Sequence, residues 1–384
     1  MSEISVHHDE LIKIFYKTIF PSSLFCRWLS YGNDEAFCNR EFSFTLKDDI
    51  YVRYLSFKDE NEFIEELIRK NPYKIDIGAV YNIEPKNHKK GSTGWFVPEW
   101  KELVFDIDMT DYDDVRFCCE KADICKKCWP LMTVAIKVID RALREDFGFE
   151  KILWVYSGRR GVHCWVCDKG ARDLVFDARS AIVGYLTYVK GGNKKKKVTL
   201  YNDKKWLRNL HPHIVESIEI IKSHFEKYLT TYQNALNQEK GINRLLSIIP
   251  DECCEYRDAM KLKWLNDDQS DPTQCLVKWR SLVCQLEYEN STKVIDEIYM
   301  EFMYPRLDVN VSTGVNHLLK SPFSVHPSTG RICVPIDIGS VDEFDPFNVP
   351  TLEQTISELR STQDIHSTSF GKYLDIFERF INDL

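Results

Sequence analysis

Two carboxylates separated by one apolar residue occupy a strand-like segment. Residues 101–109 read KELVFDIDM, so Asp106 and Asp108 follow an apolar run. Side chains at positions i and i+2 project from the same face of a strand. Because neighbouring carboxylates repel each other, the pair is chemically reasonable mainly if a divalent cation such as Mg²⁺ or Mn²⁺ binds between them. On its own, such a pair in an acidic chain more often marks an exposed strand end, so its interpretation depends on three further groups of residues.

A turn bracketed by two glycines supplies several cations. Residues 157–168 read SGRRGVHCWVCD, which predicts a strand, a tight turn and a second strand. Gly158 and Gly161 permit the turn and allow backbone amides to approach a ligand. The donors suited to polyphosphate oxygens are Arg159, Arg160 and His163. Hairpin turns often carry Arg and Gly for structural reasons alone, but beside two carboxylates the segment indicates a triphosphate site.

A second segment, residues 307–331, also carries groups that bind anions or metals. It reads LDVNVSTGVNHLLKSPFSVHPSTGR, and Asp308 is a candidate third carboxylate. Lys320 and His326 lie where prolines restrict the backbone, as a rigid phosphate-contacting loop requires. His317 is a weaker candidate because two leucines follow it directly. Taken alone, the segment is equally typical of a surface loop.

Four cysteines fall within eleven residues in the pattern CCx5CxxC. They are Cys118, Cys119, Cys125 and Cys128. Four thiolates so spaced can complete a tetrahedral structural zinc site. Free thiols, or a redox dithiol formed by the CxxC pair, are the alternatives, and the preceding vicinal pair favours metal.

Length, composition and charge limit the class of protein. A chain of 384 residues with 43% hydrophobic content can fill the cores of two domains. We find neither a secretion signal nor an apolar stretch long enough for a bilayer. Thirteen cysteines without such a signal indicate reduced thiols or metal ligands in the cytosol or nucleus. A net charge of −8 means that any nucleic-acid binding must be local or shared with a partner.

Hydrophobic periodicity indicates the elements that position these groups. An N-terminal amphipathic helix precedes a β-rich block with strands at residues 41–46, 50–57 and 74–81. The aspartate-bearing strand is followed by a helix whose apolar face runs from Leu131 to Ala142 and which ends near Gly148. With a strand at 152–156 they predict a βαβ unit with a mixed sheet. The GGNKKKK run at residues 191–197 marks a subdomain boundary, and helical stripes follow to about residue 304. A strand at 331–338 precedes a final helix with one apolar face: Tyr373, Phe377, Ile381 and Leu384.

Four of these segments resemble, in the same order, the small catalytic subunit of eukaryotic DNA primase. They are ELVFDIDMTDYDDVR, the cysteine segment, SGRRGVHCWVCD and HLLKSPFSVHPSTGRICVPID, and the resemblance extends over residues 40–351. It implies an archaeo-eukaryotic primase fold, an α+β catalytic domain of mixed sheets with RRM-like elements and an inserted all-helical subdomain. We therefore predict a catalytic domain in two parts, residues 1–190 with the zinc motif at 118–128 and residues 305–384 with the C-terminal helix. The helical subdomain is predicted over residues 191–304.

The resemblance also implies a role for each motif. Asp106 and Asp108 correspond to the catalytic metal-binding pair, which Asp308 completes. Glu41, in the matching REFSFTL motif, corresponds to a catalytic glutamate, with Arg53 as a possible companion. The four cysteines correspond to a structural zinc site. The nucleotide-binding set is Ser157, Gly158, Arg159, Arg160, Gly161, His163, His317, Lys320 and His326.

The function implied is synthesis of short RNA primers from ribonucleoside triphosphates on single-stranded DNA templates for replication. Two Mg²⁺ or Mn²⁺ ions and one structural Zn²⁺ are the expected cofactors. The expected partners are a large primase subunit with an iron-sulfur cluster and the catalytic and accessory subunits of DNA polymerase α, in the nucleus and away from membranes. A repair or damage-tolerance polymerase of the same superfamily and a metal-dependent phosphohydrolase are the alternatives.

Overall fold

Two compact units divide the chain. The computed structural model describes residues 3–90, 95–189, 197–200, 210–250 and 254–384. The first unit comprises Met1–Asp106, Phe149–Val183 and Asp308–Leu384, and the second comprises Ile107–Gly148 and Gly184–Leu307. The second unit contains the cysteine segment. The boundary predicted at the GGNKKKK run falls mostly on residues 190–196, which lie outside the described residues.

A five-stranded sheet forms one half of the first unit. Its central strand, β3, is antiparallel to β1, β4 and β8, and β1 pairs in turn with the edge strand β2. All six side chains of β1 are buried, although the sequence alternates apolar and polar residues. The strands are β1 (Arg40–Thr45), β2 (Tyr51–Leu55), β3 (Lys74–Tyr81), β4 (Pro98–Trp100) and β8 (Leu319–Lys320).

A four-stranded sheet carries the aspartates and the glycine-bracketed turn. Its strands are β5 (Leu103–Asp108), β6 (Ile152–Tyr156), β7 (Gly161–Val166) and β9 (Pro335–Ile336), in the order β5-β7-β6-β9. Because β7 lies between β5 and β6, the predicted βαβ strands are not neighbours. The strand predicted at 331–338 is shorter than expected, since only Pro335 and Ile336 pair with β6. Proline has no N–H to donate to a ladder, and it is tolerated here because β9 lies at the edge of the sheet.

Helices complete the first unit. On the last of them, Tyr373, Phe377 and Ile381 are buried as predicted, but Leu384 is 37% exposed. The helix ends at Asn382, so Leu384 no longer follows the helical period. These helices are α1 (Glu3–Thr18), α2 (Ser22–Ser30), α3 (Asp34–Cys38), α4 (Glu60–Lys70), α6 (Lys169–Arg172), α7 (Phe176–Leu186, continuing into the second unit), α13 (Val309–Thr313), α14 (Leu352–Thr362) and α15 (Gly371–Asn382). The α+β class is confirmed.

The described residues of the second unit form helices and loops. The predicted stripe of Ile214, Ile218, Ile221 and Phe225 is buried on α8. His213 is also buried, and Tyr304 and Arg141 contact its two ring nitrogens at 2.8 and 2.6 Å. No helix in the described ranges is long and apolar enough to cross a membrane. The helices are α5 (Pro130–Arg141), α8 (Pro212–Glu226), α9 (Glu239–Leu246), α10 (Cys254–Asn266), α11 (Thr273–Tyr288) and α12 (Lys293–Met303), and single π-helical turns extend α5 and α8.

A buried ion pair connects β1 to the segment that leads into β5. The Arg40 guanidinium donates to both carboxylate oxygens of Glu102 at 2.9 and 3.0 Å, and neither side chain is exposed. The Tyr31 hydroxyl donates to the same carboxylate at 2.7 Å. Arg179 donates to the main-chain carbonyls of Lys101 and Glu102. The strand that begins with Arg40 and the strand that carries Asp106 are therefore held by charges from which water is excluded.

Replacing Arg40 with methionine should strongly destabilise the first unit, because Glu102 would keep its charge in a buried environment without its partner. We expect a loss of about 3–5 kcal/mol in the free energy of unfolding, measured by chemical denaturation. The matched control is Arg69→Met on α4, because the Arg69 side chain is 64% exposed and pairs with Glu66. Its loss should be under about 1 kcal/mol, and equal losses for the two variants would contradict this account.

Candidate active site and cysteine cluster

The turn between β6 and β7 is tight because its residues bond to one another. The Ser157 hydroxyl accepts from the Gly161 amide at 3.0 Å, and the Ser157 amide donates to the Gly161 carbonyl at the same distance. Gly158 has φ +86°, and a Cβ at this position would lie 2.8 Å from the Cβ of His326. Thr329 donates to the Gly158 carbonyl at 2.7 Å. The turn therefore needs glycine, both for its backbone angle and for its contact with the second predicted segment.

Lys320 connects the two predicted nucleotide-binding segments. It lies on β8, opposite Asp76 of β3, and its ammonium donates to the Ser157 carbonyl. Its own carbonyl accepts from Nδ1 of His163 at 3.3 Å. His163 is only 5% exposed, whereas the alternation of β7 left it free to lie outside the core. All of β7 is buried, so both of its faces are covered.

His326 lies among cations. Burial, followed by the charges of Lys320 and Arg159, lowers the pKa of its imidazole to about 3. Lys74 and Arg160 act in the same direction. Its Nδ1 accepts from the Ser328 amide at 3.2 Å, which leaves the proton of the neutral ring on Nε2. These residues form a concentration of positive charge and donors that suits an anion with several charges.

Asp106 and Asp308 are brought together from opposite ends of the chain. The Asp308 amide donates to the Asp106 carbonyl at 3.1 Å. Nε2 of His163 lies 3.7 Å from Oδ1 of Asp106, so the carboxylate lies beside the residues that surround Lys320. The Asp106 side chain is 31% exposed and alternates on β5 with buried Phe105 and Ile107. It is accessible to a ligand.

Asp108 and Asp308 also have local structural roles. Asp108 accepts from the amide and the hydroxyl of Thr110, both at 2.8 Å, at the start of a 3₁₀ turn. Asp308 caps α13 by accepting from the Asn310 amide at 3.1 Å. Such caps explain short acidic residues without a metal. Carboxylate oxygens are nevertheless the ligands that Mg²⁺ and Mn²⁺ prefer, so the three aspartates are chemically suited to these ions.

Glu41 is fully buried on β1 and is held by several donors. Arg53 donates to its two oxygens at 3.0 and 3.2 Å, the Tyr54 amide donates at 3.3 Å and the Tyr81 hydroxyl at 3.1 Å. Its carboxylate has no exposed surface, whereas Arg53 is 33% exposed. Periodicity alone would assign residue 41 to an ordinary strand position. The resemblance supplied the only signal for it.

Sequence reasoning missed Lys101, the first residue of the KELVFDIDM motif. This lysine has no exposed surface, and burial lowers its pKa to about 7. Its ammonium donates to the carbonyl of His317. Burial and the charges of Lys101 and Arg53 lower the pKa of His317, while Asp308 opposes them. Lys101 therefore attaches the His317 segment to the residues just before β5, and a lone lysine before an apolar strand gave no signal of this role.

The four cysteines form a cluster in the second unit. Their sulfur atoms all lie within 4.8 Å of one another, with separations of 3.7, 3.8 and 3.7 Å from Cys119 to Cys118, Cys125 and Cys128. A tetrahedral zinc site with bonds of about 2.3 Å places its sulfurs about 3.8 Å apart, so the cluster fits the ion. Hydrogen bonding, chiefly with Cys128, lowers the pKa of Cys118 to about 5 and favours the thiolate that binds metal. No other group of three or more acidic, histidine or cysteine ligands is so close within the described ranges.

The described geometry joins a concentration of cations to accessible carboxylates. Cations and donors are suited to polyphosphate oxygens and carboxylates to divalent cations, and His163 contacts both Lys320 and Asp106. A metal-bound nucleoside triphosphate combines the two requirements. The arrangement is thus suited to positioning such a substrate for chemistry at phosphorus.

Comparison with known proteins gives the family. Residues 105–338 match the family model described as "DNA primase small subunit". The Drosophila melanogaster protein named DNA primase small subunit is 39% identical to this chain, and the match covers 98% of this chain and 91% of that protein. The Schizosaccharomyces pombe protein of the same name is 44% identical, and the match covers 90% of this chain and 76% of that protein. The Saccharomyces cerevisiae protein of the same name is 32% identical over 97% and 91%. The chain belongs to the DNA primase small subunit family, the nucleotidyltransferases that synthesise RNA primers.

Proposed function

We propose that this chain extends RNA primers on single-stranded DNA by a two-metal mechanism, with Asp106, Asp108 and Asp308 as the metal ligands. The observation that carries the proposal is the contact of His163 with both the Asp106 carboxylate and Lys320. When bound, two Mg²⁺ or Mn²⁺ ions activate the attacking 3′-hydroxyl and stabilise charge on the leaving pyrophosphate. The chain's own residues bind the triphosphate and orient it.

The cations are proposed to bind the β- and γ-phosphates of the incoming ribonucleotide. Lys320 is fixed by its contacts with His163 and with Ser157, so little reorganisation is needed when the substrate binds. Gly158 permits the backbone angle of the turn and its close approach to His326. Together with Arg159, Arg160, His317 and His326, these residues supply positioning and electrostatic stabilisation.

Glu41 is proposed to belong to the catalytic set through the group that it orients. Its carboxylate holds the guanidinium of Arg53, and the charge of Arg53 lowers the pKa of His317. Loss of Glu41 would leave Arg53 without a fixed position. The glutamate would therefore contribute to activity while its own oxygens stay occupied by donors.

The cysteine cluster is proposed to bind one structural zinc ion, because all four positions of a tetrahedron are occupied by sulfur and none remains for water or substrate. Its ligands lie on the loop that precedes α5. The ion would stabilise that loop and take no part in nucleotide transfer.

The domain organisation and partners are proposed from the family. Residues 1–190 and 305–384 form the catalytic domain and residues 191–304 the helical subdomain. A large subunit with an iron-sulfur cluster and the subunits of DNA polymerase α act with this chain in the nucleus. An acidic chain of net charge −8 has a physical need for partners that help to hold two nucleotides and a template strand.

Replacing Asp106 with asparagine should abolish primer synthesis while folding and ATP binding persist. The purified chain is incubated with oligo-dT, ATP and Mn²⁺ or Mg²⁺, with and without an oligoadenylate primer, and the products are separated by length. We expect chain growth to fall by at least about 10³-fold, whereas Asp177→Asn, at an exposed position of α7, should not change it. ATP hydrolysis by the wild-type chain without any chain growth would contradict the proposed function.

Replacing His326 with alanine should weaken ATP binding about tenfold, because a donor to a charged oxygen is lost. Since its pKa is lowered to about 3, His326 donates from a neutral ring at every pH above that value. The wild-type affinity should therefore show no added loss as pH rises through the ordinary histidine pKa of about 6.5. The measurement is ATP affinity against pH for both proteins. A wild-type decline near that pH that the variant lacks would contradict the neutral role.

Replacing Lys101 with methionine should raise the KM for ATP about three- to tenfold, with a smaller effect on kcat, because the His317 segment loses its attachment. Steady-state kinetics on oligo-dT provide the test. Lys169→Met, at an exposed position of α6, is the control. An unchanged KM in a folded Lys101 variant would show that the attachment is not needed for nucleotide binding.

Chelation should remove about one zinc ion per chain and increase hydrogen exchange in the cysteine segment. Cys125→Ser should have the same effect, whereas Cys284→Ser, at the exposed thiol of α11, should retain the ion. Metal analysis of the purified proteins gives the stoichiometry. A metal-free wild-type chain with a fully protected cysteine segment would rule out the zinc site.

A further inference from the structure

A stack of aromatic rings adjoins Glu41 on the five-stranded sheet. The rings of Tyr54 and His88 stack with centroids 4.0 Å apart, and those of Tyr81 and Phe96 stack at 3.9 Å with an interplanar angle of 3°. Phe96 also contacts Tyr54 and His88 at 5.8 and 5.9 Å. The Tyr81 hydroxyl and the Tyr54 amide both donate to the Glu41 carboxylate. The stack and the proposed catalytic glutamate are thus parts of one arrangement.

A bulge in β2 places Tyr54 in this stack. The pairing of β1 with β2 shifts register between Phe42 and Phe44, and Tyr54 has φ +60°. A bulky residue with positive φ is uncommon and costs about 1–3 kcal/mol. Bulges often redirect side chains next to active sites. Two of the residues that donate to Glu41 also contact each other, since the guanidinium of Arg53 lies 5.0 Å from the centre of the Tyr54 ring.

Trp95 is exposed on the segment that leads into β4, directly before Phe96 of the stack. Its side chain is 61% exposed, and that of Val97 is 48% exposed, while Phe96 between them faces Tyr81. Asn82 fixes this limb, since its side chain donates to the Trp95 carbonyl at 2.7 Å and accepts from the Val97 amide at 3.0 Å. The Asn82 amide also donates to the Val97 carbonyl at 3.1 Å. The backbone at Trp95 is therefore fixed by hydrogen bonds, while its indole ring is exposed to solvent.

Cations accompany the exposed rings. Lys86, Lys89 and Lys90 are exposed on the outgoing limb of the same hairpin, next to His88. Lys86 forms an ion pair with Glu84 at 3.4 Å. Arg53 is one-third exposed at the Tyr54 ring. In a chain of net charge −8, this is a local basic surface interleaved with aromatic side chains, the composition of surfaces that bind single-stranded nucleic acid.

We propose that Tyr54, His88, Trp95 and Phe96, named here the aromatic platform, bind the single-stranded DNA template by base stacking, and that Lys89 and Lys90 contact its phosphates. Stacking on a π-face tolerates every base, as a template site must. The cations favour a polyanion over an apolar protein segment. The inference rests on the proposed function, because the platform gains its purpose from its contact with Glu41. It assigns the approach of the template to the β2 bulge and the β3–β4 hairpin.

The test measures binding of labelled oligo-dT to the full chain by fluorescence anisotropy over a range of salt concentrations. Trp95→Ala should weaken binding at least about fivefold, whereas Trp95→Phe should retain most of it. Lys89→Ala with Lys90→Ala should reduce the slope of log affinity against log salt by about 1.4, since each contact with a single strand contributes about 0.7. ATP affinity should stay unchanged in all of these variants. Tyr288→Ala, which removes an aromatic side chain that is 84% exposed on α11, is the control and should bind as wild type does.

Oligo-dT affinity equal to that of the wild type in a folded Trp95→Ala variant would overturn the inference. Retained oligo-dT binding with loss of a complex with another primase subunit would also overturn it and identify a protein interface instead. These outcomes are separate from failure of the proposed function, which is a wild-type chain that forms no oligoribonucleotide. Binding and chain growth are measured independently, so each can fail alone.

Discussion

Lys320 makes the two contacts on which the candidate active site depends. Its strand belongs to the five-stranded sheet, yet its ammonium and its carbonyl both bond to residues of the four-stranded sheet, Ser157 and His163. A two-residue strand thereby sets the position of the glycine-bracketed turn relative to β3. Without it, the cations of the turn and the histidine beside Asp106 would have no fixed relation to the second segment proposed to bind phosphate.

The first unit contains a buried pair of opposite charges and, elsewhere, several charges of like sign that lie close together. At Arg40 and Glu102 opposite charges are buried in contact, so the penalty of excluding water is offset by bonds of good geometry. Around His326 like charges lie close together, and burial, followed by these charges, lowers the pKa of the imidazole. The ion pair of Arg40 with Glu102 stabilises the fold, whereas the positive charges around His326 favour the binding of an anionic ligand. The aspartates lie between these extremes, partly exposed and partly occupied as helix caps.

The sequence is a better guide to the positions of motifs than to the burial of individual side chains. The strands at 74–81 and 152–156 and the buried stripe on α8 follow from periodicity, and the cysteine spacing alone indicated a cluster that the structure contains. Alternation could not reveal that β7 is covered on both faces, because that depends on what packs against the sheet. Burial of His213 and Lys101 depends likewise on residues far along the chain. The resemblance supplied Glu41, whose importance lies in donors from β2 and β3 that no local pattern specifies.

The long sequence separations within the first unit have a consequence for the order in which it folds. Ser157 and Lys320 are 163 residues apart, and the bond between Ile75 and Ser324 spans 249 residues. Because loop closure opposes such distant contacts, they form late relative to local helices and hairpins. On a ribosome the strand with Asp106 emerges long before Asp308 and β8 exist. A nascent chain therefore exposes most of its first sheet while it still lacks β8 and the segment that carries Asp308 and His326. The last fifth of the polypeptide determines when the proposed nucleotide site is complete.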